Sequence, residues 1–592
     1  MLRPPLVVAL LLLALACSRS TPVAASNHDG AAPARRWLVT LADGRDLTAT
    51  QTQAAKVGLK VDQALDCAGA LVVTSSDDPD KVRERLSSLE GVESVESDDP
   101  VPAPSVASQR LAPPPLETPR VASPRDHASP APSVAYGSVQ PDDEFWPEQW
   151  SLRQIDAVGA WDYTTGSADA LSTIAILDTG IDLDHPDLGG SVFVSAGWNF
   201  FDNNANIQDV SQSGSGTMVA GVIAATANNG AGIVGLAWNA QLIPIKVVGR
   251  DPTSGTDVFY WSQVVAGLCR AVEQGARVIH VSVYHRTLNA ATAMYRALTF
   301  AESAGAVVVA PVGDERRYGN PTEYPAAYQR LVLGVGAVDQ SATAWDDSNV
   351  GSYVGVVAPG VDVITTVPMA IDDVGVRRGT GTILAAAHVS GAALLLLAIN
   401  PRLTTQDVTD VLRRSADDLG LVGPDTIYGA GRINVRRAVE QTPHRLTVSP
   451  TDALVFEWSE QDGAYRQPFQ SLSNNNSGPR TWTTHAMSPW ISVTAPVSAY
   501  PGGTTPSIAS LSVAPPAKGE CGTRAGMVRA ESTMPSRAGG PQDIVVRAYL
   551  PPCPPRPYSV FLPRILVAPP EPVLMQAPAR GYTAYPPPAT SQ

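Results

Sequence analysis

The sequence predicts a three-layer α/β domain with a parallel sheet, preceded by a small α/β domain and followed by an antiparallel β-sandwich. Residues 142–442 carry the central prediction, because short apolar strands alternate there with helix-like segments. STIAILDTG predicts a buried strand and a turn, and VVAGLCRAVEQGA predicts a helix that ends at Gly275. AAAHVSGAALLLLAI is apolar on nearly all sides, so we expect a buried helix at the centre of this domain.

The flanking regions differ from the central domain in composition and pattern. Residues 36–101 combine strands in RWLVTL and GALVVTS with a helix in DDPDKVRERLSSL and a closing strand in GVESVESD, which favours a small α/β domain. Residues 102–141 are rich in Pro, Ala and Ser and predict an extended linker. Residues 444–554 contain short strands between Gly, Pro and Ser, typical of an immunoglobulin-like β-sandwich, and residues 555–592 form a Pro-rich tail.

The N-terminus carries the features of an export signal. Arg3 precedes the apolar run from Leu6 to Ala16, which is too short to cross a bilayer as a helix. The segment LALAC resembles a bacterial lipobox, which implies a signal peptide over residues 1–16 and lipidation of Cys17 as the mature N-terminus. A plain signal peptide with an incidental cysteine is the alternative. With residues 17–35 as a tether, we expect a secreted protein that is lipid-anchored in the bacterial cell envelope and contacts the membrane through that anchor only.

The remaining cysteines and the charge limit the function further. Cys521 and Cys553 lie in one C-terminal segment and are expected to pair in an oxidising compartment. Cys67 and Cys269 lie in different regions, and we expect buried free thiols there. The sequence has neither a CxxC motif nor a Cys/His cluster of the kind that binds zinc. A net charge of −14 without a dense Lys/Arg run excludes an electrostatic footprint for nucleic acid.

Seven segments of residues 142–442 occur in the order typical of the subtilase family of serine peptidases. They are EQWSLRQIDAVGAW, IAILDTGIDLDHPDL, GIVGLAWNAQLIPIKV, YPAAY, SNVG, VAPGVDV and GAGRINVRRAV. Residues 142–442 therefore resemble a subtilisin-like peptidase domain, and residues 36–101 resemble the propeptide that folds against such a domain and ends near its cleft. The resemblance places Asp178 at the position of the catalytic carboxylate.

The other positions that the reaction needs depart from the family pattern. Where the family has the base of GHGTHVAG, this chain has Ser215 in GSGTMVAG, and where the family has the nucleophile of GTSMAAPHVSG, it has Ile383 in GTILAAAHVSG. The oxyanion asparagine of AAGN is replaced by Asp314 in PVGD. The substrate strand, usually Ser-Leu-Gly-Gly, reads Ser282-Val283-Tyr284-His285.

These replacements remove the chemistry of the family. A serine hydroxyl is not basic near neutral pH, and an isoleucine side chain has no proton to lose. An ionised Asp314 accepts hydrogen bonds only and would repel an oxyanion, and Tyr284 should obstruct the strand along which a peptide backbone lies. In subtilisin, loss of the serine or the histidine alone lowers kcat about 10⁶-fold. We therefore expect no proteolysis, and an uncut chain should retain its own propeptide.

Three functions remain open at this point. The first is a pseudoprotease that binds protein or peptide at the cell envelope, and the second is a serine endopeptidase with an unconventional catalytic group. The third is an adhesion or structural protein that works through the C-terminal sandwich. None of them requires a cofactor.

The segment ANNGAGIVG resembles a subtilisin calcium loop, which implies Asp187 and Asn229 as ligands of a structural calcium. A plain turn is the alternative.

Overall fold

The computed structural model describes residues 34–111, 139–166 and 173–442, together with separate segments between residues 448 and 550. The predicted signal peptide, Cys17, most of the tether, Cys521, Cys553 and the Pro-rich tail lie outside the described residues.

The N-terminal domain is an antiparallel sheet covered by two helices. Its strands pair in the order β2-β3-β1-β4. Each helix begins where an aspartate accepts hydrogen bonds from the first turn: Asp46 from the backbone N–H of Thr48 at 2.8 Å and Asp78 from that of Lys81 at 3.2 Å. The elements are β1 (Arg35–Leu41), α1 (Leu47–Lys56), β2 (Lys60–Leu65), β3 (Ala70–Ser75), α2 (Pro79–Ser87) and β4 (Val92–Ser97).

Two short strands follow this domain, β5 (Val101–Pro102) and β6 (Ala107–Arg110). β5 pairs antiparallel with a strand of the central domain at Asp257–Phe259, and β6 pairs antiparallel with another at Val376–Thr380. The start of the predicted linker is therefore part of the folded protein, because its extended backbone finds hydrogen-bonding partners on two strand edges.

The central domain has a seven-stranded parallel sheet in the order β15-β14-β13-β12-β7-β9-β8, as the alternating pattern predicts. Its sheet strands are β7 (Thr173–Asp178), β8 (Trp198–Asn199), β9 (Gln241–Lys246), β12 (Val278–Val281), β13 (Val307–Pro311), β14 (Val332–Val338) and β15 (Val356–Pro359). The smaller strands are β10 (Val248–Arg250), β11 (Asp257–Phe259), β16 (Val363–Thr366) and β17 (Val376–Thr380). The helices are α3 (Trp150–Gln154), α4 (Ala157–Trp161), α5 (Ser215–Ala224), α6 (Trp261–Glu273), α7 (Ala291–Ser303), α8 (Thr382–Ile399), α9 (Thr405–Arg414) and α10 (Val435–Gln441).

The helix α8 lies at the centre of the domain, as its apolar sequence predicts. All but one of its 18 residues are buried, and it packs on α5 and on the strands β12 to β15. It is also the one described helix that is long and apolar enough to cross a membrane. Because its surface is covered by protein on all sides, its apolar character is explained by the core.

The C-terminal segments form two five-stranded sheets. The strands are β18 (Val448–Ser449), β19 (Leu454–Ser459), β20 (Ala464–Tyr465), β21 (Phe469–Asn474), β22 (Trp482–Ala486), β23 (Ile491–Val493), β24 (Val497–Ser498), β25 (Ser507–Val513), β26 (Thr523–Ser532) and β27 (Gln542–Tyr549). Phe456 and Val546 from one sheet share a small core with Leu511 from the other. One pairing differs from the purely antiparallel prediction, since β19 runs parallel to β27. The immunoglobulin-like character of this region stays a prediction.

The cysteine prediction for the first two domains is wrong. Cys67 and Cys269 form a disulfide bond, with Cα atoms 5.9 Å apart and a sequence separation of 202 residues. Their places in different regions of the sequence predict free thiols, but the N-terminal domain docks on α6 and brings the two side chains together.

Candidate active site

The side chains of interest meet at one edge of the parallel sheet. Asp178 is the last residue of β7, Ser282 directly follows β12, and Asp314 lies three residues beyond the end of β13. Because these strands are neighbours in the order β13-β12-β7, their carboxyl ends lie side by side. The helices α5 and α8 begin near the same edge and carry Ser215 and Ile383 in their first turns.

Asp178 and Ser215 are joined directly. The Ser215 hydroxyl donates a hydrogen bond of 2.5 Å to Asp178 Oδ1, which also accepts the backbone N–H of Thr179 at 2.7 Å. Asp178 and Ser215 are only 1% and 2% exposed. The carboxylate therefore has a buried hydroxyl as its side-chain partner where the family resemblance places an imidazole.

Burial raises the pKa of Asp178 to about 6, because the charged form loses its hydration. Hydrogen bonds from Ser215 and the Thr179 backbone, together with the nearby Ser282 hydroxyl, act in the opposite direction, and the nearby charge of Asp209 raises the pKa further. The Ser282 hydroxyl is close enough to influence the carboxyl group, but it lacks hydrogen-bond geometry. Asp178 Oδ2 and Ser282 Oγ consequently have no hydrogen-bond partner among the described residues.

Ile383 is a core residue. It is 1% exposed and belongs to the same apolar cluster as Met218 of α5 and Val106, which lies between β5 and β6. A Cβ atom added to the neighbouring Gly379 would lie 2.5 Å from Met218 Cε and 3.1 Å from Val106 Cγ1, so apolar side chains converge beside the start of α8. The position that the resemblance assigns to the nucleophile is therefore surrounded by apolar side chains.

Asp314 caps the N-terminus of α8. Its Oδ1 accepts hydrogen bonds from the Thr382 backbone N–H at 3.0 Å and from the Thr382 hydroxyl at 2.6 Å. A negative charge is favourable at this end of a helix. Burial nevertheless raises the pKa of Asp314 to about 6, against the lowering effect of Thr382 and of the nearby Tyr284 hydroxyl. Asp314 is thus an acceptor, whereas an oxyanion requires a donor.

The substrate strand is filled by its own side chains. Ser282, Val283 and Tyr284 are all buried, and Tyr284 is 7% exposed within the same apolar cluster as Ile383. Burial raises the pKa of the Tyr284 hydroxyl well above its usual range, and the nearby Asp314 and Glu323 raise it further. The expected obstruction therefore takes the form of a buried ring whose hydroxyl faces Asp314.

Sequence reasoning missed Glu323. This side chain is 1% exposed, its Oε2 has no hydrogen-bond partner among the described residues, and burial raises its pKa to about 7. The charges of Glu315 and Asp314 act in the same direction. A glutamate in a loop rich in Asn and Pro is ordinarily exposed, so no local sequence signal identifies it.

Three buried histidines of the described region are engaged elsewhere. His280 is a core residue: its Nδ1 lies 3.0 Å from Ser390 Oγ, and burial lowers its pKa to about 3. His388 bonds the Leu384 carbonyl at 2.8 Å, and burial lowers its pKa to about 4. His185 bonds the Gly375 carbonyl at 2.8 Å. None of these imidazoles forms a hydrogen bond with Ser215 or Asp178.

The predicted calcium loop is held by hydrogen bonds to two carboxylates. Asp187 accepts the Asn229 amide at 2.8 Å and the Ile233 backbone N–H at 2.8 Å, and Asp143 accepts the backbone N–H groups of Asn228 and Asn229. These oxygen donors have the chemistry that calcium prefers, and burial together with the Asp143 charge raises the pKa of Asp187. The described residues contain no cluster of three or more acidic, histidine or cysteine ligands. Calcium at Asp187 and Asn229 stays a prediction.

Residues 101–110 run across the front of this site. Phe259 of β11 pairs with Val101, and Thr380 of β17 pairs with Ala107. Thr380 stands three residues before Ile383, so the paired segment passes directly beside the start of α8. Two strand edges that could otherwise pair with an extended ligand are occupied by the chain itself.

The parallel sheet, the carboxylate at the end of β7 and the two helix starts that face it define a serine-peptidase scaffold of the subtilisin type. Comparison with known proteins agrees: residues 171–431 match the family model described as the Subtilase family. Thermitase of Thermoactinomyces vulgaris is 34% identical over 299 residues, which cover 50% of this chain and 98% of thermitase. Subtilisin DY of Bacillus licheniformis is 37% identical over 272 residues, 45% of this chain and 90% of that protein. The chain belongs to the subtilase family.

Proposed function

We propose that this subtilase is catalytically inactive and acts at the cell envelope by binding protein or peptide. The observation that carries the proposal is the direct hydrogen bond between Ser215 and Asp178. A peptidase of this family needs a base between its carboxylate and its nucleophile, and here a hydroxyl occupies that place. The buried Ile383 and the hydrogen-bond acceptor Asp314 support the same conclusion from the nucleophile and oxyanion positions.

An unconventional peptidase is the less favoured alternative. It would require a base within hydrogen-bond reach of a nucleophile. Ser215 donates to Asp178, whose pKa near 6 gives it a weakly basic carboxylate, but both groups are buried and the adjoining edges of β11 and β17 are already paired. A substrate carbonyl therefore has no approach to Ser215 while residues 101–110 keep this conformation.

The proposed location rests on the N-terminal sequence. An export signal over residues 1–16 and a lipobox-like segment ending at Cys17 support secretion and lipid anchoring. Replacement of Cys17 by serine should move the protein from the membrane fraction to the soluble fraction outside the inner membrane. A Cys17→Ser protein that stays in the membrane fraction as the native chain does would contradict the anchor but leave the inactivity untouched.

The absence of peptidase activity is tested by incubating the purified full chain with a broad fluorogenic peptide library. The expected result is turnover no higher than that of an Asp178→Ala variant prepared in the same way, which measures contaminating proteases. A parallel sample carries Ser215→His, Asp314→Asn and Ile383→Ser. Cleavage by this revertant and silence of the native chain would locate the inactivity at these positions. Turnover by the native chain that disappears in Asp178→Ala would overturn the proposal.

A revertant that is silent as well calls for one more substitution. Tyr284→Gly in the revertant removes the side chain that fills the substrate strand. Cleavage only after this change would mean that Tyr284 blocks the substrate strand, in addition to the loss of the catalytic residues.

The binding part of the proposal is tested separately, by cross-linking the full chain in intact cells and comparing its captured partners with those of a variant that lacks residues 444–592. Loss of every partner in that variant would favour adhesion through the C-terminal region.

A further inference from the structure

A disulfide bond joins the N-terminal domain to the central domain. Cys67 lies in the short 3₁₀ turn between β2 and β3, and Cys269 lies on α6. The backbone connects the two domains through residues 102–141. The Cys67–Cys269 bond is a second covalent connection that does not depend on the backbone.

The N-terminal domain also completes the start of α6. This helix begins at Trp261, and the side chain of its own N-cap residue, Tyr260, makes no capping hydrogen bond. Instead, Asp98 accepts the Ser262 backbone N–H at 3.1 Å and the Ser262 hydroxyl at 2.5 Å. Arg36 binds Asp98 at 3.1 Å, and its guanidinium lies 4.7 Å from the ring centre of Tyr260. A helix of the central domain thus takes its cap from the domain before it.

The N-terminal domain also contacts the neighbouring helix α7 and shares an apolar cluster with the central domain. Arg296 of α7 donates to the Leu41 carbonyl at 2.5 Å and pairs with Asp43 and Glu93, both at 2.7 Å. One apolar cluster contains side chains from both domains, among them Leu38, Leu65 and Val72 from the first and Phe259, Trp261 and Leu268 from the second. The interface therefore has the apolar core of a stable contact as well as charged pairs.

The end of the N-terminal domain lies across the candidate site. β5 and β6 pair with strands on its two sides, and Val106 between them enters the core beside Met218 and Leu384. Any connection that holds the N-terminal domain in place also keeps these residues near their partners, because β5 follows β4 after only three residues.

We propose that residues 35–110 are a permanent part of the folded protein, held by the Cys67–Cys269 disulfide even where the backbone between the two domains has been cut, so that residues 101–110 remain across the site. In forming the bond, the two thiols give up two protons and two electrons to a disulfide oxidant R–S–S–R. This oxidant leaves as two R–SH molecules while the bond between the Cys67 and Cys269 sulfur atoms forms. The proposal does not require catalytic inactivity, since an active enzyme that cut its own junction would still hold this domain.

The test uses the full chain, exported to an oxidising compartment, with a site for a specific protease inserted within residues 112–138. After complete cutting, a denaturing gel without reductant should show one band at the mass of the whole protein. The same sample with reductant should show two fragments. Two fragments without reductant would overturn the proposal.

Cysteine variants identify the bond. After cutting, Cys67→Ser and Cys269→Ser should each give two fragments without reductant, and their thermal midpoints should fall by roughly 5–10 °C. The matched control Cys521→Ser with Cys553→Ser should keep the single band.

A peptide map of the native protein provides a second measurement that needs no variant. The expected result is a linked pair of peptides containing Cys67 and Cys269 that separates on reduction. Alkylation of both cysteines without prior reduction, or a link from either one to another cysteine, would contradict the assignment.

Discussion

The Ser215 hydroxyl donates a hydrogen bond directly to Asp178, at 2.5 Å, and both side chains are buried. In a working triad the carboxylate orients an imidazole, which passes a proton between nucleophile and leaving group. A hydroxyl bound to the carboxylate cannot act in this way, because it has no second basic atom facing a nucleophile. The bond therefore makes Asp178 a structural acceptor at the end of β7.

Replacement of Asp178 by asparagine should stabilise the protein at neutral pH. The folded-state pKa of about 6 lies above the ordinary value of 3.8, so the folded state binds more protons between about pH 4 and 6 and stability falls as pH rises through this window. At pH 7 the buried charge costs on the order of 3 kcal/mol. An asparagine keeps an acceptor for Ser215 and Thr179 and turns a donor toward Ser282, which lacks a partner.

Urea unfolding of the native chain and Asp178→Asn between pH 4 and 7 measures this effect. The difference in free energy of unfolding should grow with pH in favour of Asp178→Asn, while Asp178→Ala, which leaves Ser215 without its acceptor, should gain less. A difference that is constant over this pH range would contradict the assigned cause.

Replacement of Ile383 by serine should destabilise the protein without giving it activity. The change removes a buried aliphatic side chain beside Met218 and Val106 and introduces a hydroxyl into an apolar site. We expect a loss of about 3–4 kcal/mol in the free energy of unfolding. The control Ile383→Val should lose only about 1 kcal/mol. A fluorophosphonate probe should not label Ile383→Ser, and labelling would show that a base is present after all.

The subtilisin-like fold of the central domain could be predicted, and the motifs around Asp178, Ser215 and Ile383 fix the register that assigns these residues to the candidate site. The contacts that these residues make in the folded protein could not be predicted from the sequence. The bond between Ser215 and Asp178 depends on how closely α5 approaches β7, and the capping of α8 by Asp314 depends on the path of the loop after β13. The Cys67–Cys269 pair depends on the docking of two domains, and no spacing rule relates residues so far apart in sequence.

Tyr284 and Asp314 should be energetically coupled, although each replaces a different family residue. The Tyr284 hydroxyl lies close enough to the Asp314 carboxylate to lower the pKa of that group. Tyr284→Phe should therefore cost about 2 kcal/mol at pH 7, where the acceptor is charged. In an Asp314→Asn background the same change should cost about 1 kcal/mol, because the acceptor is a neutral amide.

A double-mutant cycle at pH 7 and pH 5 measures this coupling. The coupling should be about 1 kcal/mol at pH 7 and should shrink at pH 5, where Asp314 is protonated in the native chain because its pKa is near 6. Coupling that is absent at pH 7, or equal at both pH values, would mean that the ring of Tyr284 acts by packing alone.

Replacement of Asp98 by alanine tests whether the central domain depends on the domain before it. The change removes the cap of α6 and the carboxylate partner of Arg36, which keeps its hydrogen bond to the Ser262 hydroxyl. Loss of a cap costs about 1 kcal/mol, and removal of one partner of a buried ion pair costs about 3–5 kcal/mol. Arg36 is partly exposed and can recover some hydration, so we expect a total near 3 kcal/mol.

The matched control is Asp99→Ala, one residue further along the chain, where the side chain is exposed. Thermal and urea unfolding of the two variants should differ by this amount, and hydrogen exchange at the first turn of α6 should be faster in Asp98→Ala only. Equal stability and equal exchange in the two variants would mean that α6 keeps its start without the N-terminal domain. In that case the contacts of Arg36 and Asp98 would only position the two domains and would not stabilise the helix.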